Sequence, residues 1–242
     1  GGDFMRVQFI FHMKELNRAY RLGILSIIKQ MIRQGSEDFY QKFFVNCRHK
    51  MKAFAYASYI RNMQINGETI TGDELVLTIS STSYEFIMYL VNGSSRHNTY
   101  SYQGNNLELK SKRLLPKPPP FTSIVTFKTL SPLLIENHEQ KPLLANDEGF
   151  EQEFNYYSSL ILNEFFNRDL YQPIKIIQSS MKKVVLQENL HQTGDKPIFI
   201  TANHGLLTLN GHPEDLKIIH DLGAGRRRSL GLGLLKVEEV IY

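Results

Sequence analysis

Between Ser36 and Ile60 the chain reads SEDFYQKFFVNCRHKMKAFAYASYI, which gathers Tyr40, Arg48, His49, Lys50 and Lys52 in one short span. Histidine is the side chain whose ordinary titration falls near neutral pH, so it can take up or release a proton there. Lysine and arginine beside it can offset negative charge that develops on a reacting group. The set suits proton transfer at an anionic centre. The competing structural reading makes His49 a loop histidine bonded to backbone.

A second chemical feature closes the chain: DLGAGRRRSLGLGLLKVEEVIY, in which Gly223, Gly225, Gly231 and Gly233 bracket Arg226, Arg227 and Arg228. A dinucleotide fingerprint begun at Gly223 and Gly225 would need a third glycine where Arg228 stands, and it would need a strand before and a helix after. Here a helix precedes and a strand follows. No Gly-Lys-Ser/Thr ends the loop, so it is not a mononucleotide cradle either. What remains is a helix-to-strand connection in which glycine permits positive φ and three guanidiniums can grip phosphates through forked hydrogen bonds. That is a backbone clamp for a nucleic acid, and Lys50, Lys182 and Lys183 are further candidates for contact with such a backbone. So are Lys110, Lys112 and Arg113, with Arg18 and Arg21 on the first helix. For Lys182, Lys183 and the Lys110–Arg113 group a solvated face is the competing reading. Alternation would place Lys110 and Lys112 on one face of a strand. Tyr100 and Tyr102 could stack bases, although a core or edge role suits them better without an RNP motif around them.

The remaining histidines, His12, His97, His138, His191, His204, His212 and His220, are dispersed. His204 and His212 could meet across a hairpin, but no carboxylate stands at ligand spacing, so neither a metal nor another cofactor is expected. The carboxylate pairs Asp147-Glu148 and Glu238-Glu239 are sequence neighbours and read as surface charge.

The elements that must position these groups follow from periodicity. Met5–Met13 alternates as a strand. Tyr20, Ile24, Ile27, Ile28 and Met31 recur at helical spacing, with Gly35 as a stop. Lys52–Ile60 and Glu74–Thr82 read as strands, Ser83–Gly93 as a helix with Ser83 as N-cap, and Asn106–Leu115 as a strand. This β-α-β-β-α-β order is the ferredoxin-like unit. LPKPPP then gives a stiff polyproline spacer. Beyond it come a strand in FTSIVTFKTLSPLLI, a helix over Gly149–Asn167 and a strand in PIKIIQSSMKKVVL. KPIFITANHGLLTLNG follows as another strand, then a helix over Pro213–Leu222 with Pro213 in its first turn, the glycine loop and a last strand. The expectation is an α+β chain of two tandem ferredoxin-like domains. They cover 5–115, with the candidate proton-transfer groups, and 121–242, with the glycine loop.

An apolar fraction of 42% and an aromatic fraction of 11% are enough to build cores. The net charge of +4 divides unevenly: residues 1–120 carry 16 Lys+Arg against 9 Asp+Glu, and 121–242 carry 12 against 15. The first half is therefore the one expected to meet a polyanion. Cys47 is the only cysteine, which excludes an internal disulfide and suits a reducing, cytoplasmic setting. No apolar run is long enough to span a membrane. GGDF, ahead of Met5, reads as an appended leader.

GAGRRRSLGLGLLKV resembles the C-terminal glycine-rich motif of the CRISPR-associated repeat-processing endoribonucleases of the RAMP superfamily. MRVQFIF, AYRLGILSIIKQMI, KAFAYASYI, TLSPLLI and GHPEDLKIIHDLG agree with that family in order, so the resemblance spans nearly the whole chain. It implies tandem ferredoxin-like domains that bind the repeat of precursor CRISPR RNA and cut it once without metal, leaving a 2′,3′-cyclic phosphate and a 5′-hydroxyl. It further implies a general acid/base histidine just before the second strand and a lysine at that strand's start. His49 and Lys52 occupy those positions, with Lys50 as the rival cation. A family tyrosine often sits on the first helix, where this chain has Tyr20; Tyr40 comes later and is the other candidate. The expected partners are repeat RNA and a CRISPR effector complex, for a monomer or homodimer. The rival readings are a non-cleaving RNA-binding subunit of such a complex and a tandem RRM protein.

Overall fold

Strand β1 (Met5–His12) is the alternating MRVQFIFH run, and Val7, Phe9 and Phe11 on one of its faces are buried. The protein is described by a computed structural model over residues 5–188 and 196–242. GGDF and His191 lie outside the described residues. After β1 come β2 (Glu15–Asn17), α1 (Arg21–Gly35) and α2 (Glu37–Tyr40). Next are β3 (Phe54–Arg61), β4 (Gln64–Asn66), β5 (Thr69–Thr71) and β6 (Glu74–Ser81). Then α3 (Tyr84–Ser94), β7 (Thr99–Tyr102) and β8 (Asn105–Leu114) follow. Ser83 caps α3 by accepting from the Phe86 amide at 3.2 Å, as its place before an apolar helical run predicts.

The main sheet has the order β3-β6-β1-β8-β7. β1 pairs antiparallel with β6 (Phe9 opposite Leu77) and with β8 (Phe9 opposite Lys112). The stretch between β3 and β6 supplies β4 and β5, which join β2 from the start of the chain in a small sheet of order β2-β5-β4.

The second half contains β9 (Ile124–Thr129), α4 (Phe150–Phe166), β10 (Lys175–Ser179) and β11 (Lys182–Glu188). It ends with β12 (Ile198–His204), β13 (Leu206–Asn210), α5 (Pro213–Leu222) and β14 (Leu235–Ile241). Its sheet has the order β10-β13-β9-β14. Apart from the extra edge strand β7, both sheets arrange their principal strands as second, third, first, fourth. Each is the βαββαβ unit, so the fold is the tandem ferredoxin-like α+β expected.

Two expected single strands are broken. PIKIIQSSMKKVVL divides into β10 and β11, and the run from Ile198 to Asn210 divides at Gly205 into β12 and β13, with β11 and β12 forming a separate two-stranded ribbon. Gly205 has φ +146°, and a Cβ there would stand 2.9 Å from the Ser180 carbonyl oxygen. The hairpin bends where only a glycine fits between the two strands.

The described chain divides into two units. One takes the described residues up to Lys52, Ser58–Leu115 and those of Gln187–Ile198; the other takes Ala53–Ala57, Pro116–Leu186 and Phe199–Tyr242. The second unit's core joins Val125, Phe127, Leu207, Leu209 and Leu235 from its sheet to Phe150, Phe154, Leu216 and Ile219 from its helices. Among the described residues, no helix is long and apolar enough to cross a membrane.

Candidate nucleic-acid interface and active site

In the first unit the candidate residues follow a chain segment anchored by aromatic rings. Ser36 accepts from the Phe39 amide at 3.1 Å and starts α2. The helix then widens into a π-helical turn over Gln41–Asn46. Phe39, Phe44 and Phe86 all lie within about a ring's breadth of Phe43, at centroid distances of 5.2, 5.0 and 5.2 Å. With these rings fixed, the following turn carries Arg48, His49 and Lys50 outward, all exposed. Among the described residues the His49 side chain makes no hydrogen bond, ion pair or ring contact. The backbone-bonded reading is therefore not what the structure holds.

Lys52 points the other way. Its ammonium donates to the carbonyl oxygens of Phe43 and Cys47, each at 2.5 Å, and lies 5.2 Å from the centre of the Phe43 ring. These carbonyls end the π-helical turn, where backbone acceptors lack helical partners and a cation is favoured. Burial, with Lys29 and Lys50 nearby, holds the Lys52 pKa below the ordinary lysine value despite an opposing contribution from Cys47. Tyr40 is half-buried, with the Arg33 guanidinium 5.3 Å above its ring and the Phe44 ring 5.7 Å away. No hydrogen bond joins His49, Lys52 and Tyr40 to one another.

In the second unit the glycine loop is pinned from several sides. Gly225 (φ +69°) leaves no room for a Cβ, which would fall 2.4 Å from the Leu134 carbonyl oxygen; at Gly233 (φ +72°) it would fall 2.0 Å from the Ala224 oxygen. Such an approach, with a left-handed backbone, requires glycine. Gly223 and Gly231 also have positive φ, and Gly231 lies against the Tyr56 ring. The Ala224 amide donates to Gly233 (2.8 Å), the Arg226 amide to Leu134 (2.9 Å) and the Gly233 amide to Pro132 (2.8 Å). The TLSPLLI segment and the glycine loop, far apart in the chain, thus hold one another.

The three arginines separate. Arg226 is half-exposed and paired with Glu136. Arg228 turns inward: 4% exposed, it donates to the Leu222 carbonyl at 2.5 Å and lies 5.9 Å from the Phe165 ring. Burial lowers its pKa to about 10. The expected triple clamp is corrected here, because Arg228 braces the loop from within. Arg227, half-exposed at φ +59°, has no side-chain partner among the described residues.

The family model "CRISPR associated protein Cas6, C-terminal" matches residues 115–237, just over half of the chain. The chain belongs to the Cas6 family. The Cas6-family match contains the whole glycine loop and the TLSPLLI segment that it grips. Solved structures agree on the fold. One described as "CRISPR associated protein Cas6" is 20% identical, covers 98% of this chain and 100% of its own, and has a TM-score of 0.74. "An RAMP protein binding different RNA substrates" is 17% identical over 97% and 100%, with a TM-score of 0.77. A Cas6-related gene product from Pyrococcus furiosus is 19% identical over 98% and 99%, also at 0.77. No curated protein matches the sequence.

The other candidate residues of this Cas6-family chain divide between exposed and structural. Lys182 and Lys183 are both exposed on β11 and, among the described residues, unpaired. Lys110 pairs with Glu108 at 3.4 Å and sits at a bulge opposite Ile10 and Phe11. Lys112 instead donates to the Val91 carbonyl at 3.2 Å and to the Ser94 and Ser95 hydroxyls, closing the end of α3. The bulge breaks the expected alternation between them. Tyr100 is buried and donates to the His97 carbonyl at 2.9 Å, a core role. His204 and His212 do not meet as a pair. His204 bonds the Thr129 hydroxyl at 2.8 Å, while His212 caps α5. Burial, aided by Lys128, holds the His204 pKa below its ordinary value. Lys29 on α1 was not among the candidates, because a lysine beside Ile28 in a helix reads as a solvated flank. Its ammonium lies 5.4 Å from the centre of the Phe44 ring.

Proposed function

We propose that the chain is a metal-independent endoribonuclease that binds CRISPR repeat RNA and cleaves precursor CRISPR RNA once per repeat. The observation that carries this reading is His49: in a Cas6-family chain, an exposed imidazole without a side-chain partner among the described residues follows Arg48 and precedes Lys50 and Lys52. His49 takes the proton of a 2′-hydroxyl as the 2′-oxygen bonds to phosphorus. The bond from phosphorus to the 5′-oxygen breaks, that oxygen takes a proton from water, and His49 gives its proton back to solvent. The products are a 2′,3′-cyclic phosphate and a 5′-hydroxyl, so atoms and charge balance without an added reactant. Lys52 offsets charge on the phosphate oxygens, and Tyr40 is the remaining candidate for the site. Arg227, Lys182, Lys183 and Lys50 contact the RNA backbone. A solved relative described as binding different RNA substrates supports the RNA assignment.

The test uses RNA of the repeat from the array in the same genome, incubated with the full chain in EDTA. One cut per repeat is expected, abolished by a 2′-deoxy substitution at the cut nucleotide and by His49→Ala, while both substitutions leave binding intact. Normal cutting by His49→Ala would remove His49 from the chemistry. The engagement of Lys52 by two backbone carbonyls supports the second reading, a non-cleaving RNA-binding subunit; in that case the repeat is bound and recovered whole.

A further inference from the structure

Lys29 and Lys52 reach the same pair of rings from different elements. Lys29, on α1, stands 5.4 Å from the centre of Phe44, and Lys52, ahead of β3, stands 5.2 Å from the centre of Phe43. The two rings are 5.0 Å apart and meet edge to face at 72°. Among the described residues Lys29 makes no ion pair and no side-chain hydrogen bond. Glu37, a carboxylate of the following helix, is held by Arg33 at 2.6 Å and by Gln41 at 2.8 Å.

Burial and then Arg48 lower the Lys29 pKa, and Lys29 in turn lowers that of Lys52. A half-buried ammonium beside other cations, with no acid to balance it, is unfavourable until an anion arrives. Packing of the aliphatic stem over Phe44 explains where Lys29 lies. It does not explain why a charged end is kept there.

We infer that Lys29 is a second phosphate-contacting ammonium, acting with Lys52 on one phosphate group of the bound RNA. This rests on the RNA-cleavage reading for the identity of the natural ligand. The recognised chemistry is a phosphoryl oxygen pair held by two ammoniums from separate elements.

Inorganic phosphate serves as the probe, so the site is tested whether or not RNA is cut. The full chain is labelled with 13C-lysine, and the Cε signals are assigned by loss in Lys29→Arg and Lys52→Arg. Phosphate added at constant ionic strength should move the Lys29 and Lys52 signals along one saturation curve. Lys29→Met keeps the stem over Phe44 and removes the charge. It should retain the thermal midpoint yet weaken the phosphate response of Lys52 about tenfold, the scale of one charge-assisted hydrogen bond, while Lys29→Arg largely preserves it. A stationary Lys29 signal, independent curves for the two lysines, or an unchanged Lys52 response in Lys29→Met would each overturn the proposal. Single-turnover cleavage of repeat RNA forms a separate arm. A loss of about tenfold or more in Lys29→Met, rescued by arginine, is expected, and full activity of Lys29→Met would also overturn it. If the unaltered chain cuts no RNA, the enzymatic reading fails while the phosphate titration still decides Lys29.

Discussion

Arg228 donates its guanidinium to the carbonyl oxygen of Leu222, the last residue of α5, at 2.5 Å inside the second unit. The residue before it, Arg227, is half-exposed and has no side-chain partner among the described residues. Two adjacent arginines of one motif therefore serve different ends. Arg228→Ala leaves a buried carbonyl without this donor and should cost about 2 kcal/mol in denaturant unfolding, the scale for an unsatisfied buried group. Arg227→Ala should leave the unfolding midpoint in place and lower the slope of log affinity against log salt for repeat RNA by about one. Equal effects of the two variants on stability would contradict the division.

The glycine loop gives a second contrast. Gly225→Ala meets the Leu134 carbonyl oxygen at 2.4 Å in addition to its left-handed backbone, whereas Gly104, at φ +78° in the turn between β7 and β8, has open space around it. Gly104→Ala should cost only the conformational term, about 1 kcal/mol. Gly225→Ala should cost distinctly more, because backbone must shift to admit the methyl group. Urea unfolding of both variants beside the unaltered chain decides this, and a smaller loss for Gly225→Ala would count against the loop geometry.

Tyr100 supplies an alkaline prediction. Burial raises its pKa to about 12, above the ordinary phenol near 10. Between those values the unfolded chain has lost the proton and the folded chain keeps it, so stability from this residue is full below about pH 10 and falls as pH rises toward 12. In Tyr100→Phe the decline over that window should be shallower, although the variant starts about 1 kcal/mol lower for want of the bond to the His97 carbonyl. Unfolding free energies measured across the window test the sign. An equally steep decline in Tyr100→Phe would show that other groups cause it.

Much of this was legible in the sequence. Alternation in MRVQFIFH, the helical spacing of Ile24, Ile27, Ile28 and Met31, and the caps Ser83 and Pro213 each reflect a local rule that packing did not override. The order of elements was enough to state the tandem fold. The misses are departures from periodicity. A bulge at Lys110 and a bend at Gly205 leave no trace in apolar spacing, and a π-helical turn at Gln41–Asn46 has no distinctive residue pattern. The arginine triplet read as one clamp because charge was all that the letters showed. In the chain Arg227 is left-handed and Arg228 begins a 3₁₀ turn, so neighbouring side chains diverge. Lys29 was passed over because its importance depends on Phe44 and Arg48, which only folding brings near it.

Lys52 supplies the last prediction. Burial first, then Lys29 and Lys50, depress its pKa despite the opposing contribution of Cys47. The folded chain therefore releases this proton at a lower pH than the unfolded chain does. Two consequences share that sign. Charged Lys52 weighs against folding below its folded pKa, and this burden lifts as pH rises toward the ordinary lysine value near 10.4. Relative to Lys52→Met, the unaltered chain should gain stability over that interval. If Lys52 acts on the phosphate as an ammonium, single-turnover cleavage should decline over the same interval, beginning below the ordinary lysine range. Lys52→Arg stays charged, so in that variant the alkaline decline should move upward even if its absolute rate is lower. A decline that keeps its position in Lys52→Arg would assign the alkaline limb to another group and leave Lys52 with only its bonds to Phe43 and Cys47.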